Sequence, residues 1–158
     1  MRVAVDAMGG DHAPGEIVKG AVQALEVLPP QDEIILVGRR QAVEAELARL
    51  GGPFPRMRIE HADQVVEMDE APVEALRRKG QSSIARMVKL MVAGEADAVL
   101  SAGNTGACVA AAQMFARTLP GVRRPGISVV IPTFHGPVVV IDVGANINCR
   151  PTQLAQYA

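Results

Sequence analysis

Short apolar runs alternate along the chain with stretches whose apolar residues recur every three or four positions. That alternation predicts βαβ units around a largely parallel sheet. Arg2 to Asp6 reads as a first strand, followed by the loop Ala7 to Ala13. Pro14 suits the first turn of a helix, where its missing N–H costs nothing. Ile17, Val18, Ala21, Val22, Leu25 and Leu28 then fall on one helical face, and Pro29-Pro30 ends the helix. Glu33 to Val37 reads as a second strand, and Gln41 to Leu50 as a second helix that Gly51-Gly52 terminates. A third, shorter strand is expected over Met57 to Ala62, and a helix over Ala71 to Lys79 that Gly80 interrupts. Ser82 is placed to cap a helix through Ala93, with Ile84, Met87, Val88 and Met91 buried and Gly94 at its end.

The second half follows the same logic until the pattern changes. Asp97 to Ser101 reads as a buried strand and Ala107 to Thr118 as the helix after it. Ile127 to Ile131 and Val138 to Asp142 are two apolar strands joined by Pro132 to Pro137. A parallel crossover needs a dozen residues or more, so this link predicts an antiparallel hairpin. Pro151 opens a last helical stretch through Ala158. The expected fold class is therefore α/β, with a mostly parallel sheet and an antiparallel hairpin near residues 127–142.

Composition narrows the function classes. Aromatic residues make up 3 % of the 158 residues and Trp is absent, so no stacking platform for single-stranded nucleic acid is expected. The formal net charge of −1 supplies no global field for a polyanion, so an anion must be held by a local site. Cys108 and Cys149 form no disulfide framework and no CxxC metal motif, which points to a reducing, cytoplasmic setting. Asp6 interrupts the apolar start where a signal peptide would continue, and no stretch reaches the roughly 18 to 20 apolar residues of a membrane span.

The candidate chemistry sits in three loops, each after a predicted strand, at the end where open α/β sheets bind ligands. In Asp6-Ala7-Met8-Gly9-Gly10-Asp11-His12-Ala13-Pro14 the paired glycines let backbone N–H groups approach a ligand, and Asp6 and Asp11 add carboxylates. The bland alternative is a tight turn with Asp11 as a helix cap. In Ser101-Ala102-Gly103-Asn104-Thr105-Gly106 a strand runs into an alanine-rich helix, an arrangement that aims free N–H groups and the helix dipole at one point. It is neither a Walker A loop nor G-x-G-x-x-G, so no nucleotide reading follows. The third loop, Asp142-Val143-Gly144-Ala145-Asn146-Ile147-Asn148-Cys149-Arg150-Pro151, again offers a glycine, an acid and a cation, against the alternative of a self-bonded Asx turn. Cys149 has no assignable base and reads as an ordinary loop thiol. His12, His61 and His135 lack metal-ligand spacing, and Arg77-Arg78-Lys79 reads as a solvated face that could also meet an acidic carrier protein.

Taken together, these residues resemble a known family, the bacterial phosphate acyltransferases (PlsX) of phospholipid synthesis. The matching stretches are Val3 to Asp11 with Pro14, Ser101 to Ala107, and Ile141 to Asn146 followed by Cys149-Arg150-Pro151. Pro72-Val73, the run Ala75 to Lys79 and Ser82-Ser83 are similar as well. The resemblance implies a Rossmann-like three-layer α/β/α sandwich, similar to phosphotransacetylases. It implies acyl transfer from acyl carrier protein to inorganic phosphate, giving acyl phosphate, without a metal or other cofactor. It further implies a homodimer in the cytoplasm, peripheral to the inner membrane face, supplying a membrane-bound glycerol-3-phosphate acyltransferase.

Family members are about twice as long, so residues 1–158 are expected to be the amino-terminal portion of a single α/β acyltransferase domain. Asp6, Gly9, Gly10, Asp11, Ser101, Gly103, Asn104, Thr105, Gly106, Asp142, Gly144 and Asn146 are the expected phosphate- and substrate-binding residues, with no catalytic residue assigned. Substitution of Asn104 or Gly106 is expected to abolish turnover with little effect on folding. The alternatives are a phosphotransacetylase acting on acyl-CoA and a non-catalytic α/β module that binds a phosphorylated ligand.

Overall fold

The computed structural model describes residues 1–116, 118–123, 125–143 and 148–157. The chain divides into two compact units, residues 1–116 and 117–158. In the first, the elements follow as β1 (Arg2–Asp6), α1 (Gly15–Val27), β2 (Glu33–Gly38), α2 (Arg40–Arg49), β3 (Met57–His61), α3 (Pro72–Arg78), α4 (Ser83–Val92), β4 (Ala98–Leu100) and α5 (Thr105–Phe115). The strands form one sheet in the order β3-β2-β1-β4, every pair parallel.

Strand parity builds two cores from that sheet, because successive side chains point to opposite faces. Ala4, Ile35 and Val37 face α3, α4 and α5, where they meet Leu76, Ile84, Met87, Val88, Ala107 and Ala111. Val5, Ala7, Ile34 and Leu36 face α1 and α2, where they meet Val18, Ala21 and Val43. The result is the expected three-layer α/β/α sandwich. Both faces of the central strands are dry, which is why they read as unbroken apolar runs instead of alternating ones.

Several boundaries have local causes. Leu28 is extended (φ −74°, ψ 143°), as a residue before proline prefers, and α1 stops there. Pro14 occupies the N-cap of α1, so the suggested cap at Asp11 is not formed. Ser82 caps α4 as expected, its hydroxyl accepting from Ala85 N. Leu90 joins the buried face of α4, whereas Met91 is only half-buried. Helix α5 begins two residues before the expected Ala107, because Asn104 caps it. β4 is shorter than expected and not buried: Leu100 is 61 % exposed at the edge of the sheet.

The start of β1 is fixed to β4 by one ion pair. The Arg2 backbone N–H donates to Asp97 Oδ2 at 2.6 Å and its guanidinium to Oδ1 at 2.8 Å. These bonds, the guanidinium first, hold the Asp97 carboxyl down at about 2 from its ordinary 3.8. A carboxyl depressed in the folded state stabilises above its unfolded pKa and loses that contribution as pH falls toward the folded one. Asp97→Asn is therefore expected to lower the urea midpoint at neutral pH and to flatten its fall between about pH 4 and 2, a comparison read from urea titrations at several pH values.

The second unit contains β5 (Ser128–Thr133), β6 (Gly136–Ile141) and α6 (Pro151–Tyr157). β5 and β6 are antiparallel, with Ser128 opposite Ile141 and Thr133 opposite Gly136, so the expected hairpin is present. It forms a two-stranded sheet of its own. Most of its apolar residues are exposed, among them Val130 at 63 %, Val139 at 58 % and Phe134 at 98 %, while Val140 is half-buried.

Candidate functional site

Two of the three glycine loops meet. Adjacent parallel strands β1 and β4 end side by side, and the loops that follow them pack glycine against glycine. A Cβ on Gly9 would lie 2.6 Å from Asp6 Oδ2, 2.7 Å from Gly103 N and 2.9 Å from Ser101 Oγ. A Cβ on Gly103 would lie 3.2 Å from Gly9 Cα. Gly10 has φ +108°, a conformation open to glycine and costly for other residues.

Asp6 holds the two loops together. It is 1 % exposed, and its Oδ1 accepts from Met8 N at 3.0 Å while its Oδ2 accepts from Ser101 Oγ at 2.8 Å. Ser101 Oγ in turn accepts from Gly103 N at 3.0 Å. Both carboxylate oxygens and the hydroxyl thus have partners within the protein, which makes Asp6 and Ser101 struts under the loops. Asp11 is exposed in the first loop.

Asn104 ties in a further segment. It is 7 % exposed, and its Oδ1 accepts from Ala107 N at 2.9 Å, closing the first turn of α5. Its Nδ2 donates to three carbonyls, Glu67 O at 3.1 Å, Met68 O at 3.2 Å and Glu70 O at 3.2 Å. The far side of that segment is fixed by Lys79, whose ammonium donates to Val65 O at 2.7 Å and pairs with Glu70. The Lys79 bond is the main reason the Glu70 carboxyl lies below the usual carboxylate range, helped by the bond it accepts from Glu67 N. A Cβ on Gly106 would lie 2.6 Å from Pro72 Cγ, so the same segment and α3 close over the helix start. Substitution of Asn104 or Gly106 is therefore expected to disturb folding as well as turnover, because each is a packing partner of residues far away in the chain.

What remains open is a set of backbone donors. Ala107 N is capped by Asn104 and Cys108 N bonds to Asn104 O, but the N–H groups of Thr105 and Gly106 have no partner among the described residues. Both residues are exposed, at the positive end of an eleven-residue helix. Two free amides, the Thr105 hydroxyl and the dipole suit a tetrahedral oxyanion. Cys108 lies one turn on; burial pushes its thiol up, a bond with Ser101 opposes the rise, and Asp6 adds to it.

The third loop follows β6, a strand of the separate hairpin sheet, so the expectation of three loops on one sheet edge is not met. β5 and β6 pair only with each other among the described residues. Asp142 has φ +65° and accepts from Cys149 Sγ at 3.2 Å. Gly144 and Asn146 lie outside the described residues.

The first two glycine loops follow β1 and β4 as the sequence predicts, but the sequence reading did not join the 64–71 segment to them. The residues concerned, Pro72-Val73 and Lys79, stand in the sequence as a point of resemblance and as part of a solvated basic run, and neither reading shows that Lys79 is half-buried against Val65 O and Glu70. No cluster of three or more His, Cys, Asp and Glu residues is placed to hold a metal ion among the described residues. Nor is any helix among them long and apolar enough to cross a membrane.

Comparison with known proteins decides the family. A family model described as "Fatty acid synthesis protein" matches residues 1–158. The chain belongs to this family. Relatives named phosphate acyltransferase include those of Desulfitobacterium hafniense strain Y51 and Moorella thermoacetica, each 49 % identical over all of this chain and 46 % of its own length. The phosphate acyltransferase of Nostoc punctiforme is 48 % identical over all of this chain and 46 % of its own length. The chain thus spans about half the length of these relatives. Among solved structures, a phosphotransacetylase from Streptococcus pyogenes superposes with a TM-score of 0.66, covering 99 % of this chain and 50 % of its own at 22 % identity. That likeness bears on the fold alone.

Proposed function

We propose that residues 1–158 are the amino-terminal portion of an α/β acyltransferase that moves an acyl group from the thioester of an acyl carrier protein to inorganic phosphate. The observation that carries this reading is the pair of unpartnered amides, Thr105 N–H and Gly106 N–H, beside loops braced by a buried carboxylate. The relatives' name, phosphate acyltransferase, supports it.

In the proposed reaction a phosphate oxygen attacks the thioester carbonyl, a C–O bond forms, and the C–S bond breaks to release the thiolate carrier. The Thr105 and Gly106 amides hold the phosphate, Gly103 and Asn104 frame the turn that presents them, and Gly9 and Gly10 shape the floor over which the carbonyl lies. Most of the acceleration comes from holding the two reactants in line and from amides facing the developing oxyanion. Ser101 stays bonded to Asp6 and Gly103 N throughout, so no acyl-enzyme forms. Asp142, Gly144 and Asn146 are proposed to bind substrate too, in a homodimeric, cytoplasmic protein peripheral to the inner membrane face, where a membrane-bound glycerol-3-phosphate acyltransferase takes up the product.

The test uses the protein at the full length of its relatives, with palmitoyl–acyl carrier protein and phosphate. Phosphate-dependent formation of palmitoyl phosphate is expected, with no palmitoyl adduct on Ser101 or Cys149 by intact mass. An adduct on either residue would overturn direct attack. Turnover restricted to palmitoyl-CoA would instead make the protein a phosphotransacetylase, and phosphate binding without turnover a non-catalytic module.

A further inference from the structure

A second polar site lies on the same edge of the sheet. The carboxyl ends of β2 and β3 open into a cleft of about 570 Å³ lined by Arg39, Arg40, Gln41, His61 and Asp63. Its neighbour is the first glycine loop. Gly38, just before Arg39, lies under Met8, whose side chain a Cβ there would meet at 2.9 Å. With β3-β2-β1-β4 as the strand order, the cleft lies over β2 and β3 and the glycine loops over β1 and β4. Two strand spacings separate them, roughly 10 Å.

The cleft is rich in donors that the fold leaves unused. Arg39 gives only its Nε to the protein, at 3.3 Å from Asp63 O, and its two terminal nitrogens have no partner among the described residues. Arg40 is braced, with one nitrogen on Ile59 O at 2.9 Å and a weak pair with Glu44 at 3.5 Å. The Arg40 backbone N–H donates to His61 Nδ1 at 3.3 Å, which leaves Nε2 as the ring's remaining polar atom. The Gln41 N–H, in the first turn of the ten-residue α2, has no partner among the described residues. Asp63 is the acid of the lining.

We propose that this cleft binds a phosphate ester on the thiol arm of the acyl donor. Planar guanidiniums and a helix-start amide match phosphate oxygens better than they match a carbonyl or a hydroxyl. The reacting phosphate belongs at Thr105 and Gly106, so an anion held two strands away is a handle on the donor. A thiol arm anchored at Arg39 and bent over Met8 sets its thioester over the Gly9 loop, since the arm is longer than the gap it crosses. The inference rests on the acyl transfer proposed above and adds how the donor is gripped. The phosphate ester could be that of a carrier protein's arm or of coenzyme A.

The decisive comparison uses the full-length protein and three donors: palmitoyl–acyl carrier protein, palmitoyl-CoA and palmitoyl-pantetheine, the last without phosphate. Arg39→Gln is expected to raise KM about tenfold for the phosphate-bearing donors, the loss of one charged phosphate contact. KM for palmitoyl-pantetheine and for inorganic phosphate should not change. Asp63→Asn should move the donor KM the opposite way, two- to threefold down, a gain that damage to the fold would not give. A rise with one phosphate-bearing donor alone names the source of the ester. An unchanged KM for both, or an equal rise with palmitoyl-pantetheine, overturns the proposal. If the wild-type protein makes no acyl phosphate from any donor, the acyl-transfer reading fails and calorimetry with 4′-phosphopantetheine decides the cleft. Binding weakened by Arg39→Gln would uphold it, and equal binding or none would overturn it.

Discussion

Asn104→Ala should unfold at markedly lower urea, with a loss of about 2–4 kcal/mol. The helix cap alone is worth about 1 kcal/mol. The rest comes from the carbonyls of Glu67, Met68 and Glu70, which lose their shared donor and are left short of hydrogen bonds. Cleavage after Glu67 and Glu70 by a glutamate-specific protease should rise in step, because the segment is then held mainly from the Lys79 side. Asn104→Ser separates the two roles. It keeps a cap oxygen for Ala107 N and should regain about 1 kcal/mol, yet remain as open to cleavage as Asn104→Ala. Full stability and ordinary protease resistance in Asn104→Ala would mean the three carbonyl bonds do no structural work.

Gly9→Ala tests the site more directly. The added methyl would stand 2.6–2.9 Å from Asp6 Oδ2, Gly103 N and Ser101 Oγ, atoms held by the sheet and by one another. The two loops must separate, and a displacement approaching 1 Å costs on the order of 10²-fold in rate where catalysis depends on positioning. A fall of about that size in kcat/KM for phosphate is expected, with far-UV circular dichroism unchanged. Gly20→Ala is the control: nothing lies within 4 Å of a Cβ there, and alanine in mid-helix should stabilise by roughly 0.5–1 kcal/mol with activity intact. A Gly9→Ala protein as active as Gly20→Ala would sink the assignment of the first loop.

How much of this was legible in the sequence depends on the range of the interactions. β1 and β2 were plain because both faces of each strand are buried, and Ser82 because a cap acts over three residues. The Gly9 and Ser101 loops were legible as glycine-rich strand ends, but not the contact between them, which spans 95 positions from Asp6 to Ser101. Asn104 looked like a ligand donor because an exposed-seeming amide in a polar loop gives no sign of partners 34 to 37 residues away. The Arg39 cleft was hidden for the same reason: it forms only when β2 and β3 align Gly38 beside His61. The hairpin was read correctly from its short link, but apolar content alone could not tell a covered strand from an exposed one.

That hairpin has a consequence for handling the molecule. Val138 to Ile141 is four β-branched residues without a charge, and its neighbours across the ladder, Val129 to Ile131, are equally bare. Such stretches are the kind that recruit identical copies into cross-β stacks once the chain is warm or concentrated. Heating is therefore expected to end in turbidity before a reversible transition is complete, so the apparent melting point will move with scan rate and protein concentration.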